Sequence, residues 1–549
     1  MSLAAPGRSE PYTLERAGVW PGAPDKGNDV SEPWLPAEHG SEQRDLQRRV
    51  ARGLTWTIVD TWGSQALNLG IFVVLARLLT PVDFGLVALA AVFVALAQLL
   101  VDQGLGDALI QRPQVTRSHI DTAFWVAVVT GTLLMVSGLL LAEPIAGTLH
   151  EPELAPILRV LALSFVLSAL ASIPAALLRR ELAFRRLAMR AILAAGVGGV
   201  VSVAMAIGGF GAWALVGQQV AAAAVSVIVL WGVTPWRPGW RISLRHFGEL
   251  FSFGAHIVGS DLLNFLSRNV DNLLIGVVLG PVQLGLYAIG YRILTVTQTM
   301  LVTVAVRITF PAFARLQHDP ERMRRAYFRV SRAGSLVILP GYVGLALVAP
   351  ELTVAVFGER WIESGAVAAI LFLIGPVLTI QAFSGSLLNA TGHPNVLFRF
   401  RLISSVVNVL GFLIAVPFGI HAVAAAFVVR AYLLLPLIMW WVRVYVGIGA
   451  REYLAQLRGV AAATAVMVVC VLSVKLLLGD QPRLVLLGVE VVIGLLACAA
   501  SLWLLDRRLL SEASSLLREV LPGSGRSSRA DESAVGLATG ERSVSLDET

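Results

Sequence analysis

Polar side chains recur along one side of three otherwise apolar stretches of the chain. In residues 250–278 the polar positions fall within an arc of about 80°, at about 100° per residue of helix; they are His256, Ser260, Asn264, Ser267 and Asp271, with Asp261, Arg268 and Asn272 beside them. Weaker polar faces lie in residues 54–76, with Asp60 and Asn68, and in residues 284–310, with Tyr287, Tyr291, Gln298 and the neighbouring Arg292. Carboxylates, guanidinium groups, amides and phenols arranged in this way can bind ions, anions and hydroxyl-rich ligands. We predict that the three stretches line one hydrated cavity.

The elements that position these residues are predicted to be membrane-spanning helices. Of the 549 residues, 56% are hydrophobic and only 14% are charged, whereas globular chains have about 25% charged residues. Nearly charge-free runs of about 20 residues recur from Leu54 to Leu505, and each could cross about 30 Å of hydrocarbon as a helix. This composition predicts an all-α integral membrane protein and excludes a water-soluble enzyme, a coiled coil, a secreted disulfide scaffold and a disordered chain. Cys470 and Cys498 lie in apolar runs and are expected to be packing residues.

The apolar runs give about 14 candidate spans. They cover approximately 54–76, 84–103, 120–142, 154–177, 188–208, 211–233, 250–278, 284–310, 334–356, 365–390, 402–418, 421–444, 459–478 and 484–505. Every second loop is rich in arginine, and the opposite loops carry only Arg77, Arg360 and Arg483. Because positively charged loops stay in the cytoplasm, we predict a multi-pass protein of the cytoplasmic membrane with both termini cytoplasmic. The polar ends, 1–50 and 511–549, are predicted to be disordered tails.

An internal repeat relates two parts of the chain that lie 200 positions apart. Six of ten residues match between Leu79–Ala88 (LTPVDFGLVA) and Leu279–Ala288 (LGPVQLGLYA), at the junctions of spans 1 and 2 and of spans 7 and 8. The alternative is a recurrent Pro-Gly turn between helices. The repeat predicts two six-helix bundles, related by a pseudo-twofold axis along the membrane normal, with a transport site between them. The predicted bounds are 51–233 and 250–445 for the bundles, 234–249 for a cytoplasmic linker, and 459–505 for a C-terminal helix pair.

Four further charged residues lie inside predicted spans. Lys475 and Glu490 fall at similar depth on the final helix pair and are predicted to pair with each other. Arg159 and Arg430 either line the cavity or extend toward the membrane interface. An internal pair of Asp261 with Arg268, two turns later, is the structural alternative to a functional role for these two residues.

The sequence lacks the motifs that are typical of several kinds of enzyme and metal site. There is no Gly-x-x-x-x-Gly-Lys loop for ATP, no His-x-x-x-His spacing for a metal, and no Gly-x-Ser-x-Gly nucleophile turn. The predicted outer loops are short, although a membrane polymerase or ligase would be expected to need a large one. We therefore expect no catalytic residue, no metal, no cofactor and no enzyme activity. The basic balance, with a pI of about 9.8, is explained by topology, so no nucleic-acid partner is expected.

Five segments resemble a known family of membrane transporters. They are Ala76–Gly85 (ARLLTPVDFG), Arg180–Phe184 (RELAF), Arg268–Gly276 (RNVDNLLIG), Phe310–Gln317 (FPAFARLQ) and Val356–Trp361 (VFGERW). Over roughly residues 45–505 the chain resembles the polysaccharide-transporter branch of the multidrug/oligosaccharidyl-lipid/polysaccharide exporter superfamily. Within that branch it is most similar to the lipopolysaccharide-biosynthesis (Wzx-like, colanic-acid-exporter type) flippases. The long N-terminal tail departs from the compact start that is usual in this family.

The resemblance implies a flippase that moves polyprenyl-pyrophosphate-linked oligosaccharides across the cytoplasmic membrane for lipopolysaccharide, capsule or exopolysaccharide biosynthesis, by alternating access. Arg268 and Arg292 are then the candidates for binding the pyrophosphate, because guanidinium groups form forked, charge-assisted hydrogen bonds with it. The predicted polar lining consists of Asn68, His256, Asn264, Tyr287, Tyr291 and Gln298. Asp60, Asp261 and Asp271 are candidates for carrying a coupling proton or sodium ion.

The expected partners are the lipid-linked oligosaccharide, membrane lipid and a glycan polymerase. Alternative functions are an ion-coupled drug or cation antiporter of the same superfamily, a peptidoglycan-precursor flippase, a membrane polymerase and a non-transport scaffold of a glycan-assembly complex. Cavity arginines disfavour a cationic cargo. A scaffold, unlike a pyrophosphate transporter, would tolerate the loss of Arg268 and Arg292.

Overall fold

The computed structural model describes residues 62–102, 105–112, 115–240, 243–303, 313, 316, 319–478 and 481–505; within 244–268 the only side chains described are those of Leu262 and Phe265. The regular structure in these residues is helical. In chain order the main helices are α1 (Trp62–Leu78), α2 (Pro81–Asp102), α3 (Leu105–Gln111), α4 (Arg117–Thr148), α5 (Leu154–Arg180), α6 (Phe184–Ile207), α7 (Trp213–Val233), α8 (Leu244–Gln298), α9 (Pro320–Phe357), α10 (Ile362–Phe372), α11 (Gly375–Ala390), α12 (Pro394–Ala415), α13 (Ile420–Val446), α14 (Ala450–Gln456), α15 (Arg458–Leu477) and α16 (Arg483–Leu505).

In the described residues, 11 helices are long and apolar enough to cross a membrane, or up to 12 if α10 and α11 form one span. The chain is thus an all-helical, multi-pass membrane protein, but the predicted number of about 14 spans is not confirmed. The predicted single span 365–390 is broken between α10 and α11 by a bend of 48°. Pro376 in the first turn of α11 explains the break, since proline lacks the N–H that would continue the preceding helix.

Three other predicted spans, 1, 7 and 8, differ at their boundaries. Helix α1 is described only from Trp62 and falls in the class of shorter apolar helices. Predicted spans 7 and 8 are joined in α8, which has a non-helical residue, Gly280, at its centre. The Tyr287 hydroxyl nevertheless donates to Asp271 at 2.9 Å, although 16 residues of straight helix would separate them by about 24 Å. The two arms of α8, residues 244–279 and 281–298, therefore fold back on each other as an antiparallel hairpin.

Helices α2 and α8 cross at the two copies of the internal repeat. A Cβ atom on Gly85 would overlap the carbonyl of Pro281, and a Cβ on Gly285 would overlap the carbonyl of Pro81. The same Gly285 Cβ would lie 3.0 Å from the Gly85 backbone nitrogen. Because repeat position 85 meets 281 while 285 meets 81, the contact is reciprocal, as a twofold relation requires. Only glycine allows the two backbones to approach this closely.

The helix pairings on the two sides of this crossing also correspond. In the first set α4 packs on α5, α6 on α7, α5 on α7, and α2 on α5. In the second set α9 packs on α10, α12 on α13, α10 and α11 on α13, and α8 on α10. Both sets contribute to one continuous apolar core that runs from Leu75 to Leu457. The two sets therefore share one architecture, which supports the predicted pseudo-twofold.

Each copy of the repeat contains a proline that begins a helix, and the two helix starts are stabilised by different interactions. In the first copy the Thr80 backbone N–H and hydroxyl donate to Asp83 at 2.8 and 2.7 Å, which caps the helix that begins at Pro81. In the second copy Gly280 adopts φ 83° and ψ 175° before Pro281, a conformation that favours glycine. The turn before the proline is therefore formed with a side-chain cap in the first copy and with a glycine in the second.

The C-terminal helices α15 and α16 pack on each other and on α9. Lys475 on α15 contacts Glu351 on α9 at 2.8 Å, so the predicted pairing of Lys475 with Glu490 is wrong as a direct contact. At the opposite end of α9, Arg324 contacts Glu452 on α14. Next to it, burial raises the pKa of Tyr453 to about 12, and its ring lies 5.5 Å from that of Tyr327. The C-terminal helices α14, α15 and α16 therefore contact α9 near both of its ends.

Replacing Gly85 or Gly285 by alanine is expected to lower the free energy of unfolding by more than about 2 kcal/mol, because the new methyl group meets backbone and not a movable side chain. Thermal unfolding of the purified protein in detergent measures the effect as a lower Tm. Gly232→Ala is the matched control, since a Cβ there meets nothing within 4 Å and should leave the Tm unchanged or slightly raised. Equal Tm values for Gly85→Ala and Gly232→Ala would contradict the backbone crossing.

Candidate functional site

A buried acidic residue lies inside the second helix set. Asp271 is 3% exposed on the first arm of α8, and Tyr287, on the second arm, is fully buried. The Tyr287 hydroxyl donates to Asp271 Oδ2 at 2.9 Å, and the Asn272 backbone N–H donates to Oδ1 at 2.9 Å. The Tyr287 ring stacks on that of Tyr291, one turn later, at 5.9 Å. The structure thus brings together three of the predicted residues, Asp271, Tyr287 and Tyr291.

Arg430 on α13 completes this cluster. Its guanidinium interacts electrostatically with Asp271, Tyr287 and Tyr291, lies 4.8 Å from the centre of the Phe427 ring, and donates to the Ser404 hydroxyl at 3.0 Å. The sequence left its role open between cavity lining and the membrane interface. Its depth in predicted span 12 was the only signal, because the contact with α8 depends on tertiary packing. We refer to Asp271, Tyr287, Tyr291 and Arg430 as the acidic-aromatic cluster.

Arg292 lies at the seam between the two helix sets. It is exposed on the second arm of α8, and its guanidinium lies 5.8 Å from the centre of the Phe72 ring on α1. Asn68 lies one turn before Phe72 on α1 and is half-buried, and Gln298 is half-buried further along α8. A guanidinium stacked on an aromatic face keeps its N–H donors at the edge of the ring. Arg292 can therefore offer those donors to an anion in the space between the sets.

The remaining predicted site residues cannot be placed. Asp60 lies outside the described residues. The backbone of α8 includes the other four, but their side chains are outside the described part; these are His256, Asp261, Asn264 and Arg268. Their roles, and the predicted alternative pairing of Asp261 with Arg268, remain predictions.

A reciprocal set of hydrogen bonds joins the two sets at the end of the molecule where α1 and α9 terminate. Arg77 of α1 donates to the carbonyls of Val356 and Ala355 at 2.8 and 2.7 Å. Arg360, which follows α9, donates to the carbonyl of Leu79 at 2.9 Å. Each arginine satisfies carbonyls at the C-terminal end of a helix in the other set, where the helix dipole also favours a cation.

Aromatic side chains fill the space between these arginines. The Trp361 indole N–H donates to the Ala76 carbonyl at 2.7 Å, and its ring packs edge-on against Phe84 at 5.4 Å. Phe72 packs edge-on against both Phe84 and Phe357, at 5.8 and 5.6 Å. We refer to Arg77, Arg360, Trp361 and these three rings as the latch.

The sequence pattern did not predict that the latch residues contact one another. Arg77 and Arg360 were two of the three arginines that departed from the loop alternation, and Trp361 ended one of the resemblance motifs. The third, Arg483, contacts Glu359 beside the latch. All three exceptions to the loop pattern thus make a specific contact, which in retrospect was the available signal.

An apolar cleft of about 440 Å³ opens beside the second set, between α9, α11 and α15. It is lined by Leu339, Ile380, Leu457, Ala461 and Val468 among others, with Arg458 as the charged residue of the lining. Within the described residues, no group of three or more His, Cys, Asp or Glu residues could hold a metal ion. The chemistry that these surfaces offer is therefore binding to anionic, hydroxyl-rich and apolar groups.

Two helix sets with a twofold-like crossing, polar groups at the seam and a latch at one end are consistent with a polytopic membrane transporter. The chain belongs to the family of polysaccharide biosynthesis proteins, whose profile matches residues 74–366, as the sequence resemblance predicted. It is similar to lipopolysaccharide biosynthesis protein WzxC of Escherichia coli, with 29% identity over 72% of this chain and 80% of the relative. It is also similar to the succinoglycan biosynthesis transport protein ExoT of Rhizobium meliloti, with 27% identity over 65% and 73%.

Among solved structures, the fold is similar to that of the lipid II flippase MurJ in an inward closed conformation. The TM-score is 0.66 at 12% sequence identity, with 83% of this chain and 100% of the other covered. At this identity the similarity is one of fold. It shows that the arrangement of helices described above is one already known in a membrane transporter.

Tyr287→Phe is expected to lower the free energy of unfolding by about 1.5–3 kcal/mol, because a buried hydrogen bond to a carboxylate is lost. In a double-mutant cycle with Asp271→Asn, the two substitutions should couple by about 1 kcal/mol or more. Tyr432→Phe is the control, since that hydroxyl donates to the Leu373 carbonyl at an exposed site and its loss should cost less than about 1 kcal/mol. Additive effects of Tyr287→Phe and Asp271→Asn in thermal unfolding would contradict the bond.

Proposed function

We propose that the protein is a flippase that moves polyprenyl-pyrophosphate-linked oligosaccharides across the cytoplasmic membrane for cell-surface polysaccharide biosynthesis. The observation that carries the proposal is the position of Arg292, an exposed guanidinium at the seam between the two helix sets of a polysaccharide biosynthesis protein. An anionic ligand between the sets could reach this guanidinium, because it is exposed and lies next to a residue of the other set. The similarity to relatives named for lipopolysaccharide biosynthesis and succinoglycan transport supports the cargo class.

Each part of such a cargo has a matching surface on the chain. Arg292, together with Arg268, would bind the pyrophosphate by charge-assisted hydrogen bonds. Asn68 and Gln298 at the seam would bind sugar hydroxyls. The apolar cleft beside α9, α11 and α15 offers about 440 Å³ to the prenyl chain, which needs a hydrocarbon surface while its headgroup crosses. A cationic drug would meet the Arg292 charge at the seam, which disfavours a drug antiporter.

Alternating access requires that the latch open and close. Four direct hydrogen bonds from Arg77, Arg360 and Trp361 hold it closed, and each is worth about 1 kcal/mol net. Their sum is of the order of the few kcal/mol that separate two conformations of a transporter. Cargo or coupling-ion binding could therefore supply enough energy to open the latch.

The acidic-aromatic cluster is the proposed ion-coupling element among the described residues. Asp271 accepts a hydrogen bond from Tyr287 and interacts electrostatically with Arg430, and a change in its proton occupancy would alter both interactions. The Tyr291 ring packs against Phe427, which connects α8 to α13. Asp60 and Asp261 remain further candidates for the same role, with His256 and Asn264 as additional cavity lining.

The arginine alternation supports a cytoplasmic-membrane location with both termini in the cytoplasm. The latch then lies on the outer face, because Arg77, Arg360 and Arg483 belong to the arginine-poor side. The bundles are proposed at 51–233 and 250–445, as the helix pairings on either side of the crossing suggest. A glycan polymerase that consumes the flipped product is the proposed protein partner.

Arg292→Ala is expected to slow flipping by roughly 10- to 100-fold, because a charge-assisted hydrogen bond to the pyrophosphate is worth about 1.5–3 kcal/mol. The assay uses proteoliposomes that carry a labelled short-chain polyprenyl-pyrophosphate oligosaccharide, read by an impermeant quencher, with and without a proton or sodium gradient. Arg292→Lys should fall between the two, since lysine keeps the charge but not the planar fork.

Arg159→Ala is the matched control for this assay. Arg159 contacts Glu143 at 2.6 Å in a solvent-exposed pair, so its removal should leave flipping unchanged. Flipping at the wild-type rate by Arg292→Ala would contradict the assigned role. Gradient-driven efflux of a cationic dye, without flipping of any glycan lipid, would favour the drug antiporter instead.

The double substitution Arg77→Ala and Arg360→Ala is expected to shift the protein toward conformations with an open latch. Three of the four hydrogen bonds are lost, at about 1 kcal/mol each, so the ratio of open to closed form should rise by roughly 100-fold. Spin labels on Leu78→Cys and Ile362→Cys, both 42% exposed on either side of the latch, report the separation after Cys470 and Cys498 are replaced by serine. An unchanged distance distribution would show that the latch does not control this face.

A further inference from the structure

A second group of charged residues lies on three membrane-spanning helices, α9, α15 and α16. The Lys475 ammonium on α15 contacts Glu351 Oε1 at 2.8 Å and donates to the Leu347 carbonyl at 3.0 Å, both on α9. Glu490 on α16 is fully buried and interacts electrostatically with Lys475 and with Glu351. Each of the three mutually packed helices thus contributes one charged residue to the same place.

The charges in this group do not balance if all three side chains are ionised. Lys475 and Glu351 neutralise each other, and Glu490 would add one uncompensated negative charge. Both carboxylate oxygens of Glu490, and Oε2 of Glu351, are buried without a hydrogen-bond partner. An ionised carboxylate in hydrocarbon without donors is strongly disfavoured. A bound proton removes this charge and turns one carboxylate oxygen into a donor.

We propose that Glu490, Glu351 and Lys475 form a proton-binding site that holds one exchangeable proton, separate from the acidic-aromatic cluster. Glu490 carries the proton while Glu351 remains paired with Lys475. A sodium ion fits this place less well, because the Lys475 ammonium already supplies a cation to Glu351. Among the described residues, Glu351 from α9 and Lys475 from α15 are the charged groups that face Glu490.

The site has a route to the latch along α9. Glu351 precedes by about one helical turn the carbonyls of Ala355 and Val356, which accept from Arg77. If Glu490 loses its proton, it competes with Glu351 for Lys475, and the end of α9 is then held differently. This consequence rests on the proposed transport function, whereas the proton site itself does not.

Infrared difference spectroscopy of the purified full-length protein in lipid nanodiscs tests the site directly. The measurement follows the carbonyl stretch of protonated carboxyl groups in an apolar setting, identified by its shift in D₂O, from acidic to alkaline pH. An Asp121→Asn and Asp271→Asn background removes the two other carboxyl groups that the structure describes as buried on membrane-spanning helices, so that the band in question is the one assigned to Glu490. Glu490→Gln in this background should abolish the band, because glutamine has nearly the same shape but carries no titratable proton.

Lys475→Met provides the second variant. Without the ammonium, Glu351 also loses its partner and should become protonated, so the band area should approximately double. A band that survives Glu490→Gln unchanged at every pH would overturn the proposal, as would a band that does not increase in Lys475→Met. A band that disappears on adding sodium chloride at constant pH would show a metal-cation site and would also overturn it. If Glu490→Gln fails to fold, the Lys475→Met result decides.

The flipping assay separates this proposal from the proposed function. If the site is coupled to the latch, Glu490→Gln should weaken the dependence of flipping on an imposed pH gradient at least tenfold, while Arg159→Ala does not. No flipping by any variant, together with a Glu490-dependent band, would refute the flippase and leave the proton site standing. Normal flipping without such a band would refute the proton site and leave the flippase standing.

Discussion

The close approach of α2 and α8 is the constraint on which the rest of the structure depends. Gly85 meets the carbonyl of Pro281, and Gly285 meets that of Pro81, so the two helix sets share a point of backbone contact that no side chain separates. A contact between small residues gives a membrane protein its helix packing without help from the hydrophobic effect. Because the crossing is reciprocal, both sets meet it in the same way.

Two groups of interactions lie near this crossing: one is within a single helix set, and the other connects the two sets. The acidic-aromatic cluster lies within the second set, and its contacts among α8, α12 and α13 need not break when the sets move. The latch joins α1 and the end of α9, and all four of its hydrogen bonds run between the sets. It uses helix-end carbonyls that would otherwise lack partners, and water can satisfy the same carbonyls when these hydrogen bonds break. Each bond is worth only about 1 kcal/mol net, so the proposed opening of the latch is reversible.

The C-terminal helices add a third layer on the outside of the second set. Lys475 and Arg483 attach this pair to Glu351 and Glu359 at the end of α9 that also carries the latch carbonyls. The apolar cleft between α9, α11 and α15 lies against the same helix. Helix α9 therefore contacts the cleft, the Lys475–Glu351 pair and the latch, and it is the element that connects the three sites proposed for lipid, proton and gating.

The sequence by itself determined the membrane class, the repeat and the family. Apolar runs, arginine alternation and ordered motifs are local properties, and they also identified Asp271, Tyr287, Tyr291 and Arg292 through their helix faces. It could not give the number of helices that the structure supports, because the bend after α10 depends on how the chain packs around Pro376. Tertiary structure alone decided which charges meet: Lys475 pairs with Glu351 and not Glu490, and Arg430 joins Asp271 from a helix more than 100 residues away. The position of a side chain along a membrane-spanning helix can be predicted from that segment of sequence alone. Its interaction partner lies on another helix and is determined only when the helices pack together.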